Sequence, residues 1–548
     1  MSRFVRPALA LAALALVAPR AHAQRPGQEP AWKPVPQALP IPAESLPAWV
    51  RKTAPADPVI QRIWDEGMQR SQVTRLSQEL MDGVGGRLTG SPAGVQASEW
   101  AQRQYRGWGV TARAERYGTW LGWERGVSHI DLVAPRVKTL EGMTLAWSPG
   151  TNGKDVEAEV IMVPEVGTPE QFQAWLPQAK GKFVLTSAPQ LSCRSPQQWA
   201  EFGTPASQAA MKAAQDTLRA SWAQRLVAAV DIHAKLDGIR ARGAFSMQFS
   251  NYPGINKIFG TPRQKVPTMD LSCEDYGLLY RLVERGEKPR VRIRATSRLT
   301  GEQPVWNTIA ELPGGAKRDE YVVLSAHFDS WTAASGATDN GTGTITMMEA
   351  MRILKAVLPN PTRTILVGHW NGEEQGLNGS RAFAEDHPEV VAGLQALFNQ
   401  DNGTGRIAGM GPGPFPKAAP VLQRYLGEVP AELTQYIRFG PPSGPAGGGS
   451  DHAGFQCLGA PAFSLGALSW DYPWTTWHTN RDTYDKVVLD DLRGNAVLVA
   501  MLAYLASEDP ERMPREKLDP LPADPRTGKS PAWPECAKAM RSVAEYKR

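Results

Sequence analysis

Tyr321-Val322-Val323-Leu324-Ser325-Ala326-His327-Phe328-Asp329 is a compact apolar run that stops on residues able to bind cations or protons. A run of this length and composition predicts a strand buried on both faces. Working outward, residues 363–368 form a second such run and 395–399 a shorter third. Between the first two, 342–357 has a helical pattern, and Pro359 closes it. Its Met347, Met348, Met351, Ile353 and Leu354 read as core packing rather than a ligand surface. Apolar strands alternating with helices over 306–507 predict an α/β fold, a mostly parallel mixed sheet flanked by helices.

In an open parallel sheet, ligands bind beyond the carboxyl ends of the strands. Chemistry-bearing residues fall there: His327 after the first run, Glu373 and Glu374 after the second, and Asp401 after the third. Asp339-Asn340-Gly341 precedes the helix, and His478 lies farther on. Hydrolysis of a peptide bond by paired metals needs a shared anionic ligand, with the ions roughly 3.5–4 Å apart and one hydroxide between them. Asp339 reads as that bridge, with His327 and Asp401 completing one site and Glu374 and His478 the other. Imidazole and carboxylate together suit two Zn2+, and Co2+ or Mn2+ fit the same donors.

Glu373, beside a ligand but on a different rotational face, is the candidate general base. Asp329, on the same side as His327 if the strand continues, is the candidate to orient that imidazole. Each residue alone is weak evidence, since a lone histidine at a strand end is usually a satisfied polar group and Glu-Glu in a loop is usually solvated charge. Their order and spacing together point to a metal site. Asp451 and His452 read as structural hydrogen-bonding groups near it, and His369 as a buried histidine ending a strand. His129, His233 and His387 have no ligand partners nearby in sequence.

The 548 residues, 42% of them hydrophobic, exceed what one core usually serves, so at least two domains are expected. Residues 1–23 carry Arg3 and Arg6, an apolar stretch over 8–18 and a small-x-small end at Ala21-His22-Ala23, the pattern of a cleaved secretory signal. No stretch approaches the roughly 20 apolar residues of a membrane span. Removal of 1–23 leaves 57 Lys and Arg against 55 Asp and Glu, a net charge of +2 that implies no nucleic-acid partner.

The chain then reads as a proline-rich arm over 24–58 and an amino-terminal part of the catalytic domain over 59–122. Within it, helical patterns flank Gly83-Val84-Gly85-Gly86-Arg87-Leu88-Thr89-Gly90-Ser91-Pro92, a structural turn that lacks the Lys-Ser/Thr of a phosphate loop. An inserted domain follows over 123–295, the catalytic domain proper over 296–508, and a loosely packed tail over 509–548. Four cysteines are too few for a disulfide scaffold; a Cys193–Cys273 bridge and buried free thiols both remain open.

His-x-Asp at 327–329, Asp-Asn-Gly at 339–341, Asn-Gly-Glu-Glu-Gln-Gly-Leu-Asn-Gly-Ser at 371–380, Asp401, Gly-Ser-Asp-His at 449–452 and Trp-His-Thr-Asn-Arg-Asp-Thr at 477–483 together resemble the co-catalytic zinc aminopeptidases of the M28 metallopeptidase family, in particular its plasma glutamate carboxypeptidase branch. The turn near residue 87 is similar to that group's amino-terminal part, and the insert, with Lys180-Gly181-Lys182-Phe183-Val184-Leu185, looks like a β-rich protease-associated domain. The resemblance implies a zinc exopeptidase (phosphorylase/hydrolase-like) fold and the ligand set given above. It also implies a base at Glu373, support from Asp329 and a cis peptide after Asp339.

One departure is that 441–449 is glycine-rich and holds no tyrosine, where some relatives place an oxyanion donor. Trp470, Tyr472, Trp474 and Trp477 could line an apolar pocket or simply pack.

The expected activity is that of an exported exopeptidase, secreted or periplasmic, acting on amino-terminal residues or dipeptides of short peptides. A carboxypeptidase would need a cation for the substrate carboxylate, and Arg381, Arg406 and Arg438 are available. A glutaminyl cyclase usually uses one zinc, and a receptor-like binding protein would have lost ligands that this chain keeps. The sequence leaves open whether the insert gates access or carries the contacts of a homodimer.

Overall fold

The three apolar runs lie side by side. In this computed structural model, which describes residues 40–50, 56–247, 255–261, 265–524 and 527–545, strand Lys317–His327 is central and both its neighbours run parallel to it. Arg363–Trp370 pairs on one side, with Trp370 opposite His327; Leu394–Asn399 pairs on the other, with Asn399 opposite Ser325. The chain leaves the central strand toward one side and returns on the other, so the sheet's crevice opens at the end of that strand. Ala462–Ser464 extends the parallel set beyond Leu394–Asn399, while Arg290–Leu312 joins Arg363–Trp370 antiparallel. The reading of 1–23 as a signal lies outside the described residues.

Every residue of Arg363–Trp370 and of Leu394–Asn399 is buried, which is why these strands read as continuous apolar runs rather than alternating ones. Helix Thr342–Val357 packs on one face, its first thirteen residues all buried between the sheet and helix Leu489–Glu508. Each fully buried Met, Ile or Leu there contributes about 1.5–3 kcal/mol. The helix also buries Glu349, whose charge is balanced by Arg352 at 2.8 Å, itself 2.5 Å from Glu66 of the amino-terminal helix Pro58–Gln69.

One long element escapes the periodicity. Thr111–Ala134 is a 24-residue strand, antiparallel to Arg290–Leu312 along nearly its whole length with four irregularities in register. Its first half, with Arg113, Glu115 and Arg116, has no apolar alternation of its own, so pairing with its partner holds it extended. This ribbon carries the sheet from the core beneath the crevice into a second core formed by Ile130, Phe172, Phe183, Trp222 and Phe245. There Val156–Met162, Phe183–Leu185, Gly243–Ser246 and Thr268–Leu271 run parallel, beside helices Pro205–Ala228 and Cys273–Glu284.

Both cysteine pairs are bridged, Cys193 to Cys273 and Cys457 to Cys536. The second bridge corrects the expectation of a loosely packed tail. Residues 509–545 contain no helix or strand among those described, yet they are fastened by that bridge and by Arg541 to Glu385 and Asp386. Buried Arg363 also binds the carbonyls of Ser507 and Asp509, at 3.0 and 2.5 Å. These partners are distant in sequence, and local composition carries no sign of them.

Candidate metal centre

His327 ends its strand with Nδ1 2.9 Å from the carbonyl of Asp329. If Nδ1 donates that bond, Nε2 is the lone pair turned inward. Nε2 lies 3.1 Å from Asp401 Oδ1 and 3.2 Å from Asp339 Oδ1. His478 makes the matching half, its Nε2 2.9 Å from Glu374 Oε2 and 3.1 Å from Asp339 Oδ2. In each triad, His327-Asp339-Asp401 and Asp339-Glu374-His478, the ligand atoms lie within 4.8 Å of one another, and Asp339 belongs to both, one oxygen turned to each histidine.

Asp339 reaches this position because Asn340 anchors the start of the helix. Its side chain accepts from Gly343 N–H and donates to the carbonyl of Gln400, next to Asp401. A Cβ at Gly343 would run into both Asn340 and Gln400, so glycine permits the approach of helix start to strand end. The Asp339–Asn340 peptide is cis. Asp482 grips the same loop, accepting from the N–H groups of Thr338 at 2.6 Å and Asp339 at 3.1 Å. Its role was missed in the sequence, although it falls within the 477–483 motif.

Glu373 and Glu374 follow Gly372, whose φ of +76° and contact with the Tyr117 hydroxyl leave no room for a side chain. The Asp329 carboxylate receives the N–H groups of Glu373 and Glu374 at 3.2 and 3.3 Å and the Thr89 hydroxyl at 3.0 Å. It stands 3.8 Å from His327 Nδ1, so it organises the glutamate turn directly, while its backbone carbonyl meets the imidazole.

The turn at 83–92 is structural, as expected, and also reaches the site. Arg87 is fully buried and donates to the carbonyls of Gly85, Phe328, Ser335 and Gly336 at 2.8–2.9 Å. Burial lowers its guanidinium to about 10, with Asp482, Asp329, Asp339 and Glu374 opposing the fall, so it remains a cation at neutral pH. Replacing it with methionine would take a donor from four carbonyls, of which Gly336's keeps the Gly341 N–H, and remove the counter-charge. We expect Arg87→Met to cost about 3–5 kcal/mol in denaturant unfolding, with Arg87→Lys recovering part; a loss below 1 kcal/mol would refute the clamp.

The electrostatics call for further positive charge. Burial and neighbouring carboxylates push Glu374 up to about 7, against His478 and His327, and Glu373 well above the carboxylate range, against His327. Burial would lower His478, but Glu374 and Asp339 carry it up to about 9; His327 is likewise raised, chiefly by Asp401 against its burial. Burial would raise Asp339, yet the two imidazoles hold it far down. Glu374 Oε1 is buried without a hydrogen-bond partner, and Asp339 Oδ2, also buried, makes no aligned hydrogen bond although His478 Nε2 is 3.1 Å away. Clustered acceptors with orphaned oxygens, facing two imidazole nitrogens, fit divalent cations of the zinc type.

The other expectations divide. Arg381 lines the cavity of about 530 Å3 over the centre, with Glu373, Asp401, Gly448, Gly449, Tyr472 and Trp477. Arg406 pairs instead with Asp491, and Arg438 lies outside this lining. Trp470 and Trp474 are largely exposed. Asp451 is buried, its carboxyl raised to about 7 by burial against the pull of His327; His452 is partly buried, which lowers it to about 4 against the pull of Asp401. His369 is buried, with Nε2 2.7 Å from the Tyr105 hydroxyl.

Lys257, in the inserted segment, carried no sequence signal. It pairs with Thr479 in an isolated bridge, and its neighbour Ile258 donates to the carbonyl of His478 at 2.7 Å, holding that histidine at its positive φ of 58°.

The sequence over 307–503 matches the model of Peptidase family M28. Carboxypeptidase Q of Bos taurus is 26% identical over 438 residues, 80% of this chain and 85% of the relative. Among solved structures, the Peptidase M28 precursor from Shewanella amazonensis aligns with a TM-score of 0.62 at 22% identity, covering 85% of this chain and 99% of that one. A zinc aminopeptidase from Bacillus subtilis aligns at 0.52 and 17%, covering 81% and 96%. These structures share the fold, and the family match falls on the segment that supplies the whole histidine–carboxylate cluster: the chain is a metallopeptidase whose residues 307–503 match Peptidase family M28.

Proposed function

We propose that the chain is an exported, co-catalytic di-zinc exopeptidase that removes amino-terminal residues from short peptides or splits dipeptides. The observation that carries this reading is the sharing of Asp339 between two histidine–carboxylate triads. His327 and Asp401 would hold one ion, Glu374 and His478 the other, and Asp339 both. When bound, such a pair supplies Lewis acidity to the scissile carbonyl and acidifies water.

The protein's own part is proton transfer and positioning. Glu373 lines the same cavity without belonging to either triad; it takes a proton from the attacking water and delivers it to the leaving amine. Asp329 holds the backbone of Glu373 and Glu374, and Tyr472 brings a phenol into the cavity where 441–449 offers none.

Export rests on the 1–23 pattern and on the two disulfides, which suit an oxidising compartment. The insert is read as a protease-associated domain by resemblance. Carboxypeptidase action is the second reading, favoured by the name of the Bos taurus relative and by Arg381 at the cavity wall.

One experiment separates the readings: product analysis by mass spectrometry on a peptide with a free amino terminus and on its acetylated twin, with zinc or with chelator. Stepwise loss from the free amino end, abolished by acetylation and by chelator, is the expected result. Loss from the carboxyl end regardless of acetylation would replace the aminopeptidase reading with the carboxypeptidase one.

A further inference from the structure

A second cavity of about 980 Å3 lies between the insert and the catalytic domain and shares the Trp477 wall with the metal centre. Among the described residues, its lining includes Arg219, His233 and Lys257 and neither an aspartate nor a glutamate, the reverse of the carboxylate-rich centre next door. Lys257 is 7% exposed, its Nζ lies 3.9 Å from the centre of the Trp477 ring, and it makes no ion pair among the described residues. A buried ammonium facing a cavity, with the Trp477 ring face against it and the field of the Asp339 carboxylate opposing its burial, makes no hydrogen bond to either among the described residues and keeps its donors for a ligand. Trp477 in turn stacks on His478 with centroids 4.0 Å apart. Placed end to end, these spacings put Nζ no more than about 8 Å from the His478 imidazole, a reach of one or two extended residues at roughly 3.3–3.6 Å each.

We propose that Lys257 is a specificity-determining residue that binds a carboxylate on the residue leaving from the scissile bond, so that the inserted domain selects substrates whose leaving portion is short and anionic. The proposal rests on the exopeptidase reading above and deepens it. The terminal carboxylate of a dipeptide is at the right distance, and an acidic side chain on the leaving residue offers the same chemistry. Arg219, at the exposed end of the cavity, extends the positive lining outward.

The test compares Ala-Ala, Ala-Ala amide and Ala-Glu amide as substrates of the zinc-loaded wild-type chain, Lys257→Met and Lys257→Arg. The wild type is expected to favour Ala-Ala over its amide by about tenfold in kcat/KM, the scale of one charge-assisted hydrogen bond. Lys257→Met brings that ratio to near one, and Lys257→Arg keeps most of it. A preference for Ala-Glu amide over Ala-Ala amide that vanishes in Lys257→Met assigns the contact to the side chain as well. If Lys257→Met lowers all three equally, the residue only braces Trp477 and the proposal is wrong.

Calorimetric binding of Ala-Ala and its amide to Glu373→Gln protein, with and without Lys257→Met, reads the contact without turnover. A wild type that cleaves neither dipeptide while binding keeps its Lys257-dependent acid preference would sink the exopeptidase reading and leave the carboxylate site standing. Cleavage with an unchanged acid-to-amide ratio in Lys257→Met would do the reverse.

Discussion

Glu373→Gln is expected to lower kcat by about 10²–10⁴-fold, the range that a positioned general base contributes, while the chain still binds two zinc ions. The carboxamide keeps the shape of the side chain but cannot take a proton. The turn itself is held through backbone N–H groups by Asp329, which the substitution leaves in place. Glu373 lies outside both triads, so the metal content measured by elemental analysis stays at two ions per chain and KM moves little. Activity within tenfold of wild type would assign the base elsewhere, and loss of an ion would make Glu373 a ligand.

Asp339→Ala should cost both ions together. Each histidine faces one oxygen of this carboxylate at 3.1–3.2 Å, so its removal leaves two incomplete sites rather than one. Metal affinity is expected to fall by more than about 100-fold, the upper end of what outer partners of ligands reach, and peptide hydrolysis to fall below detection. Asp401→Ala, by contrast, strips one triad only and should leave one ion tightly bound. A stoichiometry of two in the Asp339 variant, or a loss of one ion in both variants, would mean the sites do not share this residue.

Most of the strand and helix pattern beneath the centre was legible because burial there is complete. Residues 322–326, 363–368 and 395–399 are all buried in the interior of a mostly parallel sheet, so their sequences are dominated by apolar residues on both faces and the histidine and carboxylates stand out where each run ends. Thr342–Val357 was legible for a related reason: its pattern and closing proline are local signals. The strand over 111–134, the second disulfide and the fastening of 509–545 were not legible. Each depends on a partner more than 75 residues away, and no local period encodes such a partner.

Arg87, Asp482 and Lys257 mark the same boundary within the site. Arg87 looked like one residue of a glycine-rich turn, and only the packing of 83–92 under the 328–336 loop turns three of its donors onto the carbonyls of Phe328, Ser335 and Gly336. Lys257 carries no local signal, and it is the folding of the insert along 478–480 that sets its ammonium on Trp477.

By itself, the sequence determined the strand and helix chemistry of the catalytic half and the identity of the histidines and carboxylates that gather there, because both are written in short-range pattern and residue type. The sequence also pointed to Asp339 as the shared carboxylate, whereas only the tertiary structure decided that Asp329 binds the glutamate turn and that the insert packs against His478. Those outcomes follow from strand order, crossover direction and loop docking, which are properties of distant contacts and of the space left between them.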